Sequence, residues 1–421
     1  MSSLIQIKAV PVVTLSFHWP IRHFDPSATA SWQRNHEKND MRDVCVLGMG
    51  QSVFGNFPQR SVATLGCGAA RAALKDAGIE ALQLQAIYAN QQFSQMITGQ
   101  TTAPDIGTAG IGMAKFDDAR AGGAAAVWRL WKDVATGIVD VGIALGADSV
   151  TLNHVAGKPI PQFEYESEGI LGVAMPSVFA LATRRLMKTQ GATIQDFAQV
   201  SVKAHDAGAL NPAAQSCQRI TIEQVVDSRM IADPITMLQC SPSTDGAAAI
   251  ILCSASFARR YTTKLIHIVA SVVQAGDGLV EGKNLTSIGF GYQAARHAYE
   301  LAGVGPYDLD VVEIHDGFAC EEILHYEDLE LCPRGEGIAL LRSGATSLGG
   351  RIPVNPSGGL LSLGHSPSAS GVRNICEVAL HLRDEAGERQ TPNAMVGLAQ
   401  MLGGSADGFE TGTAAIHILT V

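Results

Sequence analysis

The sequence predicts an α/β protein of stacked sheet and helix layers, built from two similar halves with a helix-rich segment inserted into the first. Three observations carry that expectation. The order helix, glycine stop, polar linker, strand occurs twice: AARAALKDAGI (69–79) matches AARHAYELAGV (294–304) without a gap, and the same offset sets Ile87 against Val312. Apolar runs of strand length alternate with helical patterns in both halves, which implies sheets covered on both faces. Between residues 151 and 237 the texture turns polar and helix-rich, QFEYESEGILGVAMPSVFALATRRLMKTQG being typical.

MRDVCVLGMGQSVFG opens at Met41 with a strand at about 43–48 that runs into glycines. SVATLGCGAARAALKDAG follows as a helix, because apolar positions recur at helical spacing and Gly78 supplies the stop. LQAIYAN is the next strand, and IVDVGIALGADSV (138–150) and AAAIILCSASF (247–257) complete the first half. In the second half the helix ending at Gly303 leads to the strand VVEIH, with IHIVASVVQAG, AMVGLAQMLGG and TAAIHILT as further strands. The halves are expected at 41–262 and 263–421, with the insertion at about 151–237 as a cover over a binding site. Residues 1–40 lack a basic region ahead of the apolar part and an AxA-type cleavage site, so they read as a poorly ordered leader or tail rather than a signal peptide.

With 46% hydrophobic and 17% charged residues in 421, the chain can bury a large core, and no window approaches the ~20 uninterrupted apolar residues of a membrane span. A net charge of −10 argues against a nucleic-acid surface, which draws on clustered Lys and Arg. Eight scattered cysteines without a CxxC pair or a His/Cys cluster point to a reducing, cytoplasmic compartment and to no metal site. Cys240, Cys253 and Cys376 read as ordinary buried thiols.

Four segments gather glycine and polar residues at strand ends: FDDARAGGAAAVW (116–128), CSPSTDGAAA (240–249), EIHDGFACEEILHYEDLELCPRGEG (313–337) and NPSGGLLSLGHSPSASG (355–371). The first reads as a tight turn entering a helix, with Arg120 in the turn. Helix starts favour negative charge by roughly 0.3–1 kcal/mol per charge. A guanidinium there wants a compensating anion, either Asp117, Asp118 or a ligand carboxylate; the bland alternative is a solvated arginine at a decayed site.

In order and spacing these motifs resemble the thiolase superfamily, specifically the branch of the sterol carrier protein thiolase and related lipid-transfer-type proteins. HDGF is similar to that branch's His-Asp-Cys-Phe and NPSGGLLSLGHSPSASG to its Asn-Pro-Ser-Gly-Gly…Gly-His-Pro segment. KAHDAGALNP and CSPSTDGAAA are similar to its inserted loop domain and the segment next after that domain. The resemblance implies a thiolase fold of duplicated βαβαβαββ halves in stacked α-β-α-β-α layers. It also implies a cysteine nucleophile, and laid onto this chain that position falls on Arg120, while the branch's second catalytic cysteine falls on Gly317. Cys320, three positions on, is a stand-in nucleophile to consider, and the family's C-terminal Cys-x-Gly corresponds to LGGSADG, without a cysteine.

By resemblance His315 and His365 are the catalytic pair, holding the thioester oxygen and activating the reacting group; the alternative is two structural histidines. Arg120, Asn355, Ser357, Gly359 and Gly403 are expected to bind substrate, although Asn355 and Ser357 can also merely stabilise their turn. Asp316 can orient its loop, and His205 can be structural or ligand-binding. The expected function is to bind an acyl-CoA thioester and make or break a carbon–carbon bond beside the carbonyl, by retro-aldol or Claisen chemistry, without a Cys-acyl intermediate. Relatives acting as side-chain-cleaving aldolases in steroid breakdown set the precedent. The alternatives are an acyltransferase with a non-standard nucleophile and a non-catalytic subunit of a complex. Coenzyme A enters as part of the substrate, with no separate cofactor; a homodimer and a small OB-fold partner subunit are implied by resemblance.

Overall fold

The computed structural model describes residues 41–92, 98–108, 110–151, 174–276, 285, 287–404 and 412–421. The expectations for residues 1–40 and for the start of the insertion lie outside the described residues. Eleven strands are described: β1 Val44–Gln51, β2 Ala86–Asn90, β3 Gly112–Phe116, β4 Val141–Asp148, β5 Met230–Ala232, β6 Ile235–Thr236, β7 Gly246–Ser254, β8 Ile266–Ala275, β9 Val311–Glu313, β10 Val396–Gly403 and β11 Thr413–Thr420.

Nine of them form one sheet in the order β3-β2-β4-β7-β1-β8-β11-β10-β9. The join between halves is narrow: β1 meets β8 only through Cys45 against His267 and Val46 against Ile266. On either side the wiring is the same. β1 runs antiparallel to β7, β7 antiparallel to β4, and β4 parallel to β2, which is parallel to β3. In the second half β8 runs antiparallel to β11, β11 antiparallel to β10, and β10 parallel to β9, whose Val312 bridges in parallel to Val354. The weak sequence repeat is therefore a repeat of topology, and Ile87 and Val312 occupy equivalent strands.

Helices fill the remaining layers. The helix Val62–Ala77 lies outside β1 and β7, starting at Ser61, whose side chain accepts from Thr64 N–H, and ending at left-handed Gly78 (φ 65°). Its counterpart Gly289–Ala302 lies outside β8 and β11 and ends at Gly303 (φ 73°). Between the two halves of this sheet the helices Gly122–Ala135 and Pro367–Arg383 pack on each other, the latter touching β4, β7 and β10 from both halves. The sequence of layers is α-β-α-β-α. Close approach sets the inner layer: a Cβ on Gly146 would lie 1.9 Å from the Ser368 carbonyl oxygen, and one on Gly123 2.1 Å from it. The start of Pro367–Arg383, two residues past His365, is thereby held in place.

Two elements are shorter than the sequence suggests. VVEIH stops as a strand at Glu313, because the next two N–H groups leave the ladder, Ile314 donating to Asn355 Oδ1 (2.8 Å) and His315 to Gln400 Oε1 (2.9 Å). The end of AAAIILCSASF is a helical turn, Ala255–Ala258, capped by Ser254. The insertion contributes the helices Met175–Gln190, Ile194–Gly208 and Ile222–Val226 and the β5–β6 hairpin. No described helix is long and apolar enough to cross a membrane.

Candidate active site

The four glycine-rich segments meet at one cavity of about 650 Å³. Residues 240–244 stitch two of them together. Ser241 N–H donates to the Gly317 carbonyl (2.9 Å), His365 N–H to the Pro242 carbonyl (3.0 Å), and Thr244 N–H to the His365 carbonyl (3.1 Å). The turn ahead of the helix Gly122–Ala135 closes a third side. Ala119 is left-handed there (φ 45°), and Gly403 packs so tightly on the turn that a Cβ would lie 2.3 Å from the Asp118 carbonyl oxygen. The insertion supplies the apolar wall, including Met175, Phe179, Ile231 and Met237.

His315 and His365 face each other across this cavity with ring centroids 5.3 Å apart and planes at 85°. Each is tied from behind through Nδ1. His365 Nδ1 lies 3.2 Å from Ser370 Oγ, whose hydroxyl already donates to the Ser366 carbonyl (2.9 Å). The hydroxyl hydrogen being committed, the network assigns the proton to His365 Nδ1 and leaves Nε2 as a bare acceptor. Burial, followed by the charges of His315, Arg120 and Arg373, pushes the His365 pKa well below the usual histidine value, so the ring is neutral at pH 7. His315 Nδ1 lies 2.8 Å from Glu321 Oε1. Neither Nε2 has a hydrogen-bond partner among the described residues.

Burial alone would raise the Glu321 carboxyl, but His315 and its hydrogen bond, with His325 and Arg120, outweigh it and hold the group below the usual glutamate range. Arg120 lines the same cavity. Its accessible surface is intermediate, yet that surface opens on the cavity, and burial lowers the guanidinium pKa against the pull of Glu321. The guanidinium makes no hydrogen bond or ion pair with any described residue. Asp118 is occupied instead by Thr413, whose hydroxyl donates to Oδ1 (2.7 Å), and Asp117 is exposed.

Family models match both halves: "Thiolase, N-terminal domain" over residues 48–256 and "Thiolase C-terminal domain-like" over 275–418. The chain belongs to the thiolase family. It is 37% identical to an acetyl-CoA acetyltransferase of Methanothermobacter thermautotrophicus over 90% of this chain and 100% of that one. It is 34% identical to the benzoylsuccinyl-CoA thiolase subunit BbsB of Thauera aromatica (86% and 95%), and 32% identical to sterol carrier protein 2 of Bos taurus (86% and 70%). Among solved structures, an Ltp2-ChsH2(DUF35) aldolase superposes with a TM-score of 0.77 at 24% identity, covering 91% of this chain and 98% of that one.

Within this thiolase fold His315, His365, Arg120, Gly317, Gly403 and His205 all line the cavity. Asn355, Ser357 and Gly359 stand behind its wall and do not contact it. Asn355 accepts from Ile314 N–H and donates to Glu322 (3.3 Å), Ser357 Oγ donates to Glu313 (2.7 Å), and a Cβ on Gly359 would strike Asp316 at 2.1 Å. These residues hold the loops that carry the histidines, so their expected contact with substrate gives way to internal hydrogen bonding. Asp316 accepts from Leu360 N–H (2.6 Å), its carboxyl raised well above the usual range by burial and by Glu322.

Cys320 is no stand-in nucleophile. It is buried away from the cavity, donates toward the Phe179 carbonyl (3.6 Å), and is pushed up to about 12 by burial. The cysteine on the cavity wall is Cys240, pushed by burial up to about 11, hence a thiol rather than a nucleophilic thiolate at neutral pH. Glu321 was absent from the expected site, although it stands six positions after His315 in the same motif. It occupies the room that a side chain at 317 would need: a Cβ on Gly317 would lie 3.0 Å from His315 Cε1 and 3.1 Å from Glu321 Oε2. Gly317→Cys is therefore expected to destabilise the protein by about 1–3 kcal/mol through overpacking, read by urea unfolding, without restoring an acyl-enzyme.

His315, Glu321 and His325 offer ligand atoms all within 4.8 Å of one another, the one such group among the described residues. His325 is fully buried, and burial pushes it down to about 4 against the pull of Glu321. The positive field of Arg120 on Glu321 opposes a dication there.

Proposed function

We propose that this thiolase-family chain binds an acyl-CoA thioester and makes or breaks a carbon–carbon bond beside the carbonyl without a Cys-acyl intermediate. The observation that carries this reading is the pair of unpartnered Nε2 atoms facing one cavity that holds no ionised thiol among its described residues. In the cleavage direction, neutral His365 takes the proton of a β-hydroxyl at Nε2. The O–H electron pair becomes a carbonyl, the Cα–Cβ bond breaks, and its electrons pass to the thioester oxygen as an enolate. His315, held through Nδ1 by Glu321, faces that oxygen with Nε2. Return of the proton from His365 to Cα closes the cycle.

The 37%-identical acetyl-CoA acetyltransferase supports acyl-CoA as the ligand class. No separate cofactor enters these steps. The subunit status of the benzoylsuccinyl-CoA thiolase relative supports assembly with a second protein, for which a small OB-fold subunit is our reading. A homodimer across the first-half sheet is supported by β3, a sheet-edge strand with exposed Met113. Eight free cysteines support a reducing, cytoplasmic setting.

The test is exchange of the α-protons of an acyl-CoA in D2O, followed by NMR, alongside the intact mass of the protein. Exchange without a mass increase is the expected result. A covalent acyl adduct would sink the reading in favour of an acyltransferase with a non-standard nucleophile, and neither exchange nor adduct would favour a non-catalytic subunit.

A further inference from the structure

Among the described residues Arg120 is a cation without an anion, and its neighbours show why. Glu321 gives one oxygen to His315 and the other to Phe318 N–H (3.3 Å). Glu322 is paired with Lys203 (2.6 Å), Glu313 with Arg373 (3.3 Å), and Asp118 is held by Thr413. Each described carboxylate around the histidines thus has its own donor, and the guanidinium is left facing the cavity.

We infer that Arg120 anchors a carboxylate carried by the acyl group itself, so that the substrate class is a short dicarboxylic acyl-CoA of succinyl or glutaryl type. The inference rests on the acyl-CoA reading above. A planar guanidinium matches a carboxylate in a two-pronged hydrogen bond, and an enclosed cavity strengthens that pair relative to water. The position of Arg120 fixes where the carboxylate must sit. Arg120 lines the same cavity as His315, Glu321 and His365, so an anion on its guanidinium sits beside the reacting centre, a few carbons from the thioester carbonyl. The phosphates of coenzyme A are separated from the thioester by the whole pantetheine arm and do not reach it. Phe179, Phe318, Ile231 and Leu361 give the wall an apolar stretch suited to the carbon skeleton, and the Gln92, Gln215, Ser241 and Ser243 side chains elsewhere on it are uncharged, so Arg120 is the cation placed for an anionic end.

The experiment compares two stable ligands by calorimetry, the analogues of succinyl-CoA and butyryl-CoA in which a methylene replaces the thioester sulfur. They differ in one carboxylate at equal chain length. The wild-type protein is expected to bind the succinyl analogue at least about 10-fold more tightly, a charge-assisted hydrogen bond's worth of affinity. Arg120→Met should remove that preference while holding the butyryl analogue within about 2-fold of wild type; Arg120→Gln, which keeps a polar side chain, should do the same if the methionine variant folds poorly. Equal binding of the two analogues by the wild-type protein, or a preference that survives both substitutions, overturns the inference and leaves the acyl-CoA reading standing. Failure of both analogues to bind removes both readings.

Discussion

Replacing His365 by alanine is expected to lower kcat/KM for carbon–carbon cleavage by about 10²–10⁴-fold, the range a positioned general base contributes, while the urea midpoint moves little. The reason lies in the proton inventory. Ser370 Oγ accepts a hydrogen bond from Nδ1–H and donates its own hydroxyl to the Ser366 carbonyl, so Nε2 keeps a lone pair toward the cavity. The pH dependence has a definite sign. A base works when deprotonated, and burial, with His315, Arg120 and Arg373, holds the His365 pKa well below 6.5. Acidification from pH 7.5 to 6.5 should therefore leave kcat/KM nearly flat, and the acid limb should appear only at lower pH. A limb centred near pH 6.5, or an alanine variant within about 3-fold of wild type, would take His365 out of the proton transfer.

How each structural signal is encoded decides whether the chain alone discloses it. Glycines at strand ends mark loops that approach a ligand or another backbone closely, and the resemblance to the thiolase motifs singled out His315, His365, Gly317, Gly403 and Arg120 within them, all of which line one cavity. The repeat of helix, glycine and strand carried the doubled topology, because Gly78 and Gly303 both serve as left-handed stops. Side-chain direction within those loops was not visible. Asn355, Ser357 and Gly359 share a motif with His365, yet they meet Glu322, Glu313 and Asp316 respectively, while Leu361 in the π-type turn Gly359–Leu363 reaches the cavity. Glu321 and Glu322 are the same residue at consecutive positions. One helical step of about 100° sends the first to His315 and the second to Lys203, and that phase depends on the helix starting at Ala319. The insertion looked polar as a whole, but one face of Met175–Gln190 brings Met175 and Phe179 to the site.

Arg373→Met is expected to be the most damaging single change to the fold, at about 3–5 kcal/mol, because it strands a buried carboxylate. Arg373 and Glu313 are both fully buried, their charged atoms 3.3 Å apart, and Ser357 joins them, receiving from Arg373 Nη1 (2.5 Å) and donating to Glu313 Oε2 (2.7 Å). With the arginine gone, Glu313 keeps only neutral donors, Ser357 N–H and Oγ–H, too few to offset the desolvation of an anion. The double variant Glu313→Gln with Arg373→Met removes both charges and should recover most of the loss, since deleting a whole buried pair costs far less than breaking it. Urea unfolding of the two single variants and the double variant measures this directly, and additive losses would show that the pair does not act as a unit. The pair also links two loops of the site. Glu313 lies two residues before His315, and Arg373 lies on the helix that begins two residues after His365. A double variant that regains stability but not kcat would show that the ion pair sets the spacing of the histidines, whereas recovery of both would leave that spacing to the close packing at Gly123 and Gly146.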